Sequence, residues 1–97
     1  MTKAEIVGTI AKRTGIDRVS VLASLESFMD VVTDTLSQGE NVYLRGFGTF
    51  GVKYRKAKPA RDIKNQTTIT IAARNVPIFK PSQHLSAKVS RSLPADK

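Results

Sequence analysis

The sequence predicts an α+β fold: two N-terminal helices, a three-stranded antiparallel sheet with a long protruding β-ribbon arm, and a short C-terminal helix. Three observations carry this expectation. Apolar residues recur at spacings of three and four up to Gly39, and at spacings of two from Asn41 onward. Charge divides at the same place. Residues 1–39 hold four basic side chains (Lys3, Lys12, Arg13, Arg18) against five acidic ones (Glu5, Asp17, Glu26, Asp30, Asp34), whereas the rest of the chain holds twelve basic against three acidic. Finally, a strand-like run whose apolar alternation stops at Tyr54 continues as a basic ribbon through Lys53, Arg55, Lys56, Lys58, Arg61 and Lys64, with Asp62 the one acid among them. A strand that leaves its core and becomes basic is suited to gripping a polyanion.

The elements follow in order. Thr2 and Glu5 have the spacing of a capping box, and Ile6, Ile10 and Ala11 fall on one helical stripe. Gly15 marks the stop of this helix. Asp17 is placed to cap a second helix. Its apolar face comprises Val21, Leu22, Leu25, Phe28, Met29, Val32 and Leu36, and Gly39 ends it. Two helices joined through glycine suggest helix-turn-helix, but neither has a basic or amide-rich exposed face with which to read a groove. Val42 and Leu44 then alternate with Tyr43 and Arg45, and Gly46-Phe47-Gly48 reads as a turn. Phe50, Val52 and Tyr54 line one face of the next strand, with Thr49, Lys53 and Arg55 on the other. Pro59 marks an edge or a free ribbon. Asn65-Gln66 is the expected tip, Thr68 to Ile71 the return strand, and Val76-Pro77-Ile78-Phe79 the re-entry into the core. A final helix is expected from about Ser82, with Leu85 and Val89 facing inward. Residues Ser92 to Lys97 read as a frayed tail with Pro94 as breaker.

Ninety-seven residues suggest one domain, 1–97, with a helical dimerisation part (1–40), a sheet, arm and C-terminal helix (41–91) and a tail (92–97). A lone two-stranded ribbon is marginal in water. The second helix is also apolar over a wider face than one small sheet needs. Both points predict an intertwined two-fold dimer. Its core is expected to hold Leu25, Phe28, Met29, Val32, Leu44, Phe47, Phe50 and Phe79. The three phenylalanines are read as core rather than as a base-stacking platform, because Val42, Leu44, Val52 and Ile78 surround them in sequence.

A net charge of +8 makes nucleic acid the leading partner. There is no cysteine, so neither a disulfide framework nor a thiolate metal site is expected. His84, the single histidine, has no carboxylates gathered near it in sequence and reads as a solvated helix residue. No activated nucleophile, paired carboxylate or phosphate-binding glycine loop stands out, which points to a non-enzyme without cofactor or metal. No signal pattern or membrane-length apolar run is found, so an intracellular protein without membrane contact is expected.

The run Gly39-Glu40-Asn41-Val42-Tyr43-Leu44-Arg45-Gly46-Phe47-Gly48-Thr49-Phe50, with Val76-Pro77-Ile78-Phe79-Lys80 downstream, resembles the bacterial histone-like HU and integration host factor family from Lys3 to about Val89. The resemblance implies a homodimer, or a heterodimer with a paralogue, whose saddle-shaped sheet sits on double-stranded DNA while two arms enter the minor groove. It implies bending by an apolar residue at each arm tip, a proline within Arg-Asn-Pro in most members. Here Arg61, Asp62 and Ile63 take those positions, which makes Ile63 the implied wedge. Gln66 stands where a glycine is usual. Lys53, Arg55, Lys58 and Arg61 are the first candidates for DNA contact, with Lys56 and Lys64 secondary. Arg74 and Asn75 lie at the arm base, and Arg45, Gly46, Gly48 and Lys80 lie on the saddle. The implied function is largely sequence-independent DNA binding with a preference for bent, nicked or flexible DNA, organising the cytoplasmic nucleoid. Alternatives are a site-selective bender of integration host factor type and a basic RNA-binding protein.

Overall fold

The computed structural model describes residues 1–62, 64, 65, 67–93 and 95. The expected wedge Ile63, the tip residue Gln66 and the breaker Pro94 lie outside the described residues. The chain forms two compact units, Met1–Thr35 and Leu36–Lys97.

The first unit is helical. Helix α1 spans Lys3–Thr14, and α2, spanning Arg18–Ser37, begins in this unit. The capping box at the start of α1 is closed: the Thr2 N–H donates to Glu5 Oε1 at 2.8 Å, and the Glu5 N–H donates to Thr2 Oγ1 at 3.3 Å. Gly15 ends the helix at φ 78°. Asp17 caps α2: Oδ2 accepts the Ser20 N–H at 3.0 Å, and Oδ1 accepts the Ser20 hydroxyl at 2.8 Å. Those two bonds, the backbone one first, hold the Asp17 carboxyl below its ordinary value. Lys3 Nζ donates to Glu26 Oε2 at 2.7 Å, tying the helices together across an exposed ion pair of small energetic worth. Val7 and Val21, each 5% exposed, are the apolar side chains buried here, and they are the only buried hydrophobic residues among the described residues of the chain. Ile10, Ile16, Val21 and Leu25 line one open apolar groove, and Ala4, Val7, Val19 and Leu22 line another.

The second unit holds five strands and a helix: β1 Val42–Leu44, β2 Gly48–Arg55, β3 Lys58–Asp62, β4 Thr67–Ile71, β5 Arg74–Pro81 and α3 Gln83–Ser92. Strands β1, β2 and β5 form an antiparallel sheet in the order β1-β2-β5, and β3 and β4 form an antiparallel ribbon. The turn between β1 and β2 is shifted from the one expected from sequence. It comprises Arg45 to Phe47, and Gly48 already belongs to β2. The Phe47 N–H donates to the Leu44 carbonyl at 2.9 Å, with Gly46 at φ 82° in the third position, where a type II turn needs a positive φ.

Gly48 is glycine for a different reason. It is buried and sits opposite Pro81 in the ladder. A Cβ there would lie 2.6 Å from the Lys80 carbonyl oxygen and 2.6 Å from the Phe79 ring. Phe79 also meets Phe47 and Phe50, with ring centroids 5.4 and 4.9 Å away. Ser82 caps α3, accepting the Leu85 N–H at 3.0 Å and donating its hydroxyl to the Gly46 carbonyl at 2.9 Å. This ties the helix to the β1–β2 turn. Val89 is half exposed in the single chain, where with Pro81 and Leu85 it lines an open groove.

Because a backbone carbonyl and an aromatic ring fill the space a Cβ would need at Gly48, Gly48→Ala is expected to destabilise the fold by about 1–3 kcal/mol. Urea unfolding against wild type measures this. The same substitution at Gly46 acts through φ instead, since nothing lies within 4 Å of a Cβ there.

Candidate nucleic-acid interface

Directly opposed residues of antiparallel strands share a face, so the register sorts the basic residues. Phe50 pairs with Val42 and Phe79, which makes one face apolar. On the other face Thr49 pairs with both Tyr43 and Lys80, giving a row across all three strands. Lys53 opposite Val76 and Arg55 opposite Arg74 continue this face toward the arm.

The ladder is interrupted between sheet and ribbon at Lys56-Ala57 on one side and Ala72-Ala73 on the other. Arg55 pairs with Arg74 before the gap and Lys58 with Ile71 after it. Two residues are thus passed over on each strand, and the register is unchanged. Within the ribbon, Pro59 and Arg61, opposite Thr70 and Thr68, share one face, and Lys58 falls on the other with Ile69 and Ile71. In the sheet Asn75 lies on the face of its partner Tyr54. The register thus puts Lys53, Arg55, Arg74 and Lys80 on one face of the sheet, Asn75 on the other, and Arg61 and Lys58 on opposite faces of the ribbon.

All these cations are exposed. Among the described residues none of them is in an ion pair. Arg55 and Arg74 oppose each other directly, an arrangement that destabilises a free ribbon because like charges meet. Arg45 and Lys80 border one shallow depression with Tyr43 and Thr49. Gly48 is buried, so its backbone is less open to a phosphate than that of exposed Gly46.

Tyr43 belongs to this face, although its spacing in the chain assigns it no role beyond strand alternation. It is 74% exposed. Asn41 Nδ2 donates to its hydroxyl oxygen at 3.2 Å, which leaves the hydroxyl hydrogen free to donate outward. Placing Tyr43 beside Lys80 required the cross-strand register, which spacing within one strand does not provide.

The family model described as "Bacterial DNA-binding protein" matches residues 1–90. The chain belongs to that family. Within it, the chain is 35% identical over 94 residues to integration host factor subunit alpha of Actinobacillus succinogenes, covering 97% of this chain and 96% of the relative. It is 39% identical over 89 residues to DNA-binding protein HU-alpha of Vibrio proteolyticus, covering 92% and 99%. Among solved structures, it is similar to the HU chain of an Anabaena HU–DNA cocrystal. The TM-score is 0.87 at 27% identity, over 98% of this chain and 100% of that one. An HU mutant from Thermotoga maritima gives 0.70 at 31% identity, over 92% and 99%. This is an architectural DNA-binding protein of HU and integration host factor type, not an enzyme. Among the described residues no cluster of metal-ligating side chains occurs, and no helix is long and apolar enough to cross a membrane.

The opposed arginines yield a two-sided expectation for this chain. Arg74→Ala should leave the DNA-free protein as stable as wild type or up to about 1 kcal/mol more stable, since it removes a like-charge pair. It should also flatten the salt dependence of DNA binding by roughly 0.9 in log–log slope for each phosphate that is no longer neutralised. Thermal unfolding and salt-titrated binding measure the two halves.

Proposed function

We propose that the chain works as an intertwined homodimer that binds double-stranded DNA largely without regard to sequence, bends it, and organises the nucleoid in the cytoplasm. The observation that supports this reading is the cross-strand register, which groups Lys80, Lys53, Arg55 and Arg74 on one face of the sheet and leads into a ribbon that carries Lys58 and Arg61. These cations meet the sugar-phosphate walls of a groove, and Lys56 and Asn75 add contacts along the arm. Lys64 adds charge at the tip, and Arg45 and Gly46 extend the contact at the β1–β2 turn. These groups address phosphate and groove width rather than base edges, so the energy depends on DNA shape and deformability.

Bending is assigned to Ile63, inserted between base pairs from each arm. An apolar residue between Asp62 and Lys64 in a basic ribbon has no core to enter. Unstacking one step costs a few kcal/mol, which is offset by the surface that bent DNA can reach. Flexible, nicked or gapped DNA is already partly relieved of that cost and should bind more tightly.

Dimerisation is supported by the apolar surface that one chain leaves open. Phe28 is 41% exposed, Met29 42%, Phe47 48% and Phe79 38%. Phe47 and Phe79 adjoin, with ring centroids 5.4 Å apart, and exposed contiguous apolar surface marks interfaces. Leu25→Asp, which puts a carboxylate into the groove lined by Ile10, Ile16 and Val21, should abolish dimer and fold together. Sedimentation and circular dichroism read the outcome, and a stable folded monomer contradicts the intertwined dimer.

A site-selective mode is the second reading, favoured by the integration host factor subunits among the relatives. The deciding experiment is a salt-titrated comparison of an intact duplex, the same duplex with a nick or gap, the matching RNA duplex, and a panel of random duplexes. Tighter binding to interrupted DNA, with a steep salt slope and flat affinity over the panel, is expected. A strong spread across the panel favours site selection. Equal binding to RNA and DNA duplexes contradicts the bending mechanism.

A further inference from the structure

A carboxylate among arm residues that grip phosphate is electrostatically misplaced, and Asp62 is the one acidic residue of the arm. Neither neighbouring cation neutralises it, since among the described residues Asp62 forms no ion pair with Arg61 or Lys64. Its oxygens are turned to the tip instead. Oδ1 accepts the backbone N–H of Lys64 at 3.1 Å and that of Asn65 at 3.4 Å, and Oδ2 accepts Nδ2 of Asn65 at 2.9 Å. Asp62 is also the last paired residue of β3, opposite Thr67, so the bonds begin where the cross-strand ladder ends. Backbone donors at a hairpin tip have lost their strand partners, and an aspartate two or three residues back is the side chain that can supply them. The described tip residues Lys64 and Asn65 are exposed.

We propose that Asp62 is a positioning residue of the arm tip. Its carboxylate holds the turn that presents the tip to DNA, and so promotes bending even though its charge opposes binding. The proposal rests on the reading of neighbouring Ile63 as the wedge. It makes charge and geometry act with opposite signs, which a pair of substitutions separates. Asp62→Asn removes the charge but keeps an oxygen acceptor for the two backbone N–H groups. Asp62→Ala removes charge and acceptor alike.

The experiment uses the full-length protein with three readouts: DNA affinity, bend angle by fluorescence energy transfer on intact and nicked duplexes, and backbone amide order of Lys64 and Asn65 by NMR relaxation. Expected is that both variants relieve repulsion, while Asp62→Ala alone loses most of the bend and its preference for the nicked duplex. Its Lys64 and Asn65 order parameters should fall from the rigid range near ~0.85 to below ~0.6. Asp62→Asn should keep bend and order. If both variants bind more tightly and bend DNA like wild type, while Ile63→Ala loses the bend, the positioning role is overturned. If Ile63→Ala also bends normally, the wedge reading fails by itself, and amide order then decides. Order lost only in Asp62→Ala upholds Asp62 as the residue that holds the tip, and order kept in both variants overturns it.

Discussion

Val7 and Val21 are the only buried hydrophobic residues among the described residues, and what the remaining apolar surface does governs the rest of the molecule. About two-fifths of each of Phe28, Met29 and Phe79, and nearly half of Phe47, stays in water. Completing the burial of each is worth roughly 1 kcal/mol, since full burial of such a side chain contributes about 1.5–3. Four of them sum to several kcal/mol per protomer, beside a total domain stability of about 5–15. On the proposed dimeric reading, a second copy that covers these side chains supplies a decisive share of stability. On the proposed reading, folding and dimerisation are one event, and the two arms that DNA meets come as a pair because the core requires a pair.

The same constraint fixes the binding face. Strand β2 serves both sides: Phe50 and Val52 belong to the apolar face, while Thr49, Lys53 and Arg55 belong to the other. A slip of one residue would exchange the two sets. Gly48 opposes such a slip, because only a residue without Cβ fits between the Lys80 carbonyl and the Phe79 ring. Packing on the apolar side thus sets which side chains the arm offers on the far side. The pairing register is the same on both sides of the gap at Lys56-Ala57 and Ala72-Ala73, so the ribbon that carries Arg61 continues the pairing set in the sheet.

Much of this was legible in the sequence because it depends on neighbours in the chain. The Thr2–Glu5 box, the Asp17 cap, the helix start near Ser82, the stops at Gly15 and Gly39, and the change of period at Asn41 are local signals, and each element formed where its signal lay. Features set by pairing were not legible. Gly48 reads as a turn glycine until its cross-strand neighbours are known, and Tyr43 reads as an ordinary strand residue until Thr49 and Lys80 are placed beside it. Val89 has helical spacing for a core position, but spacing does not say whether the surface it faces belongs to its own chain. Asp62 reads as an electrostatic fault, because sequence shows its charge and not the N–H groups that its oxygens accept.

The arm and the body are stabilised by different means. In the body, apolar contacts such as Phe50 against Phe79 hold the strands. Along the arm, Pro59 removes one ladder donor, the alanines at the gap offer little to pack, and Arg55 opposes Arg74. Each of these weakens a free ribbon. On the proposed reading, a bound phosphate reverses the effect of the charge pair, so an arm built like this gains order from DNA, part of its binding energy is spent on ordering, and affinity alone understates the contacts made. Local bonds must then hold whatever geometry the tip needs before DNA arrives. The three hydrogen bonds to the Asp62 carboxylate are the ones found there, which is why a residue of unfavourable charge can be the fitting one at that position.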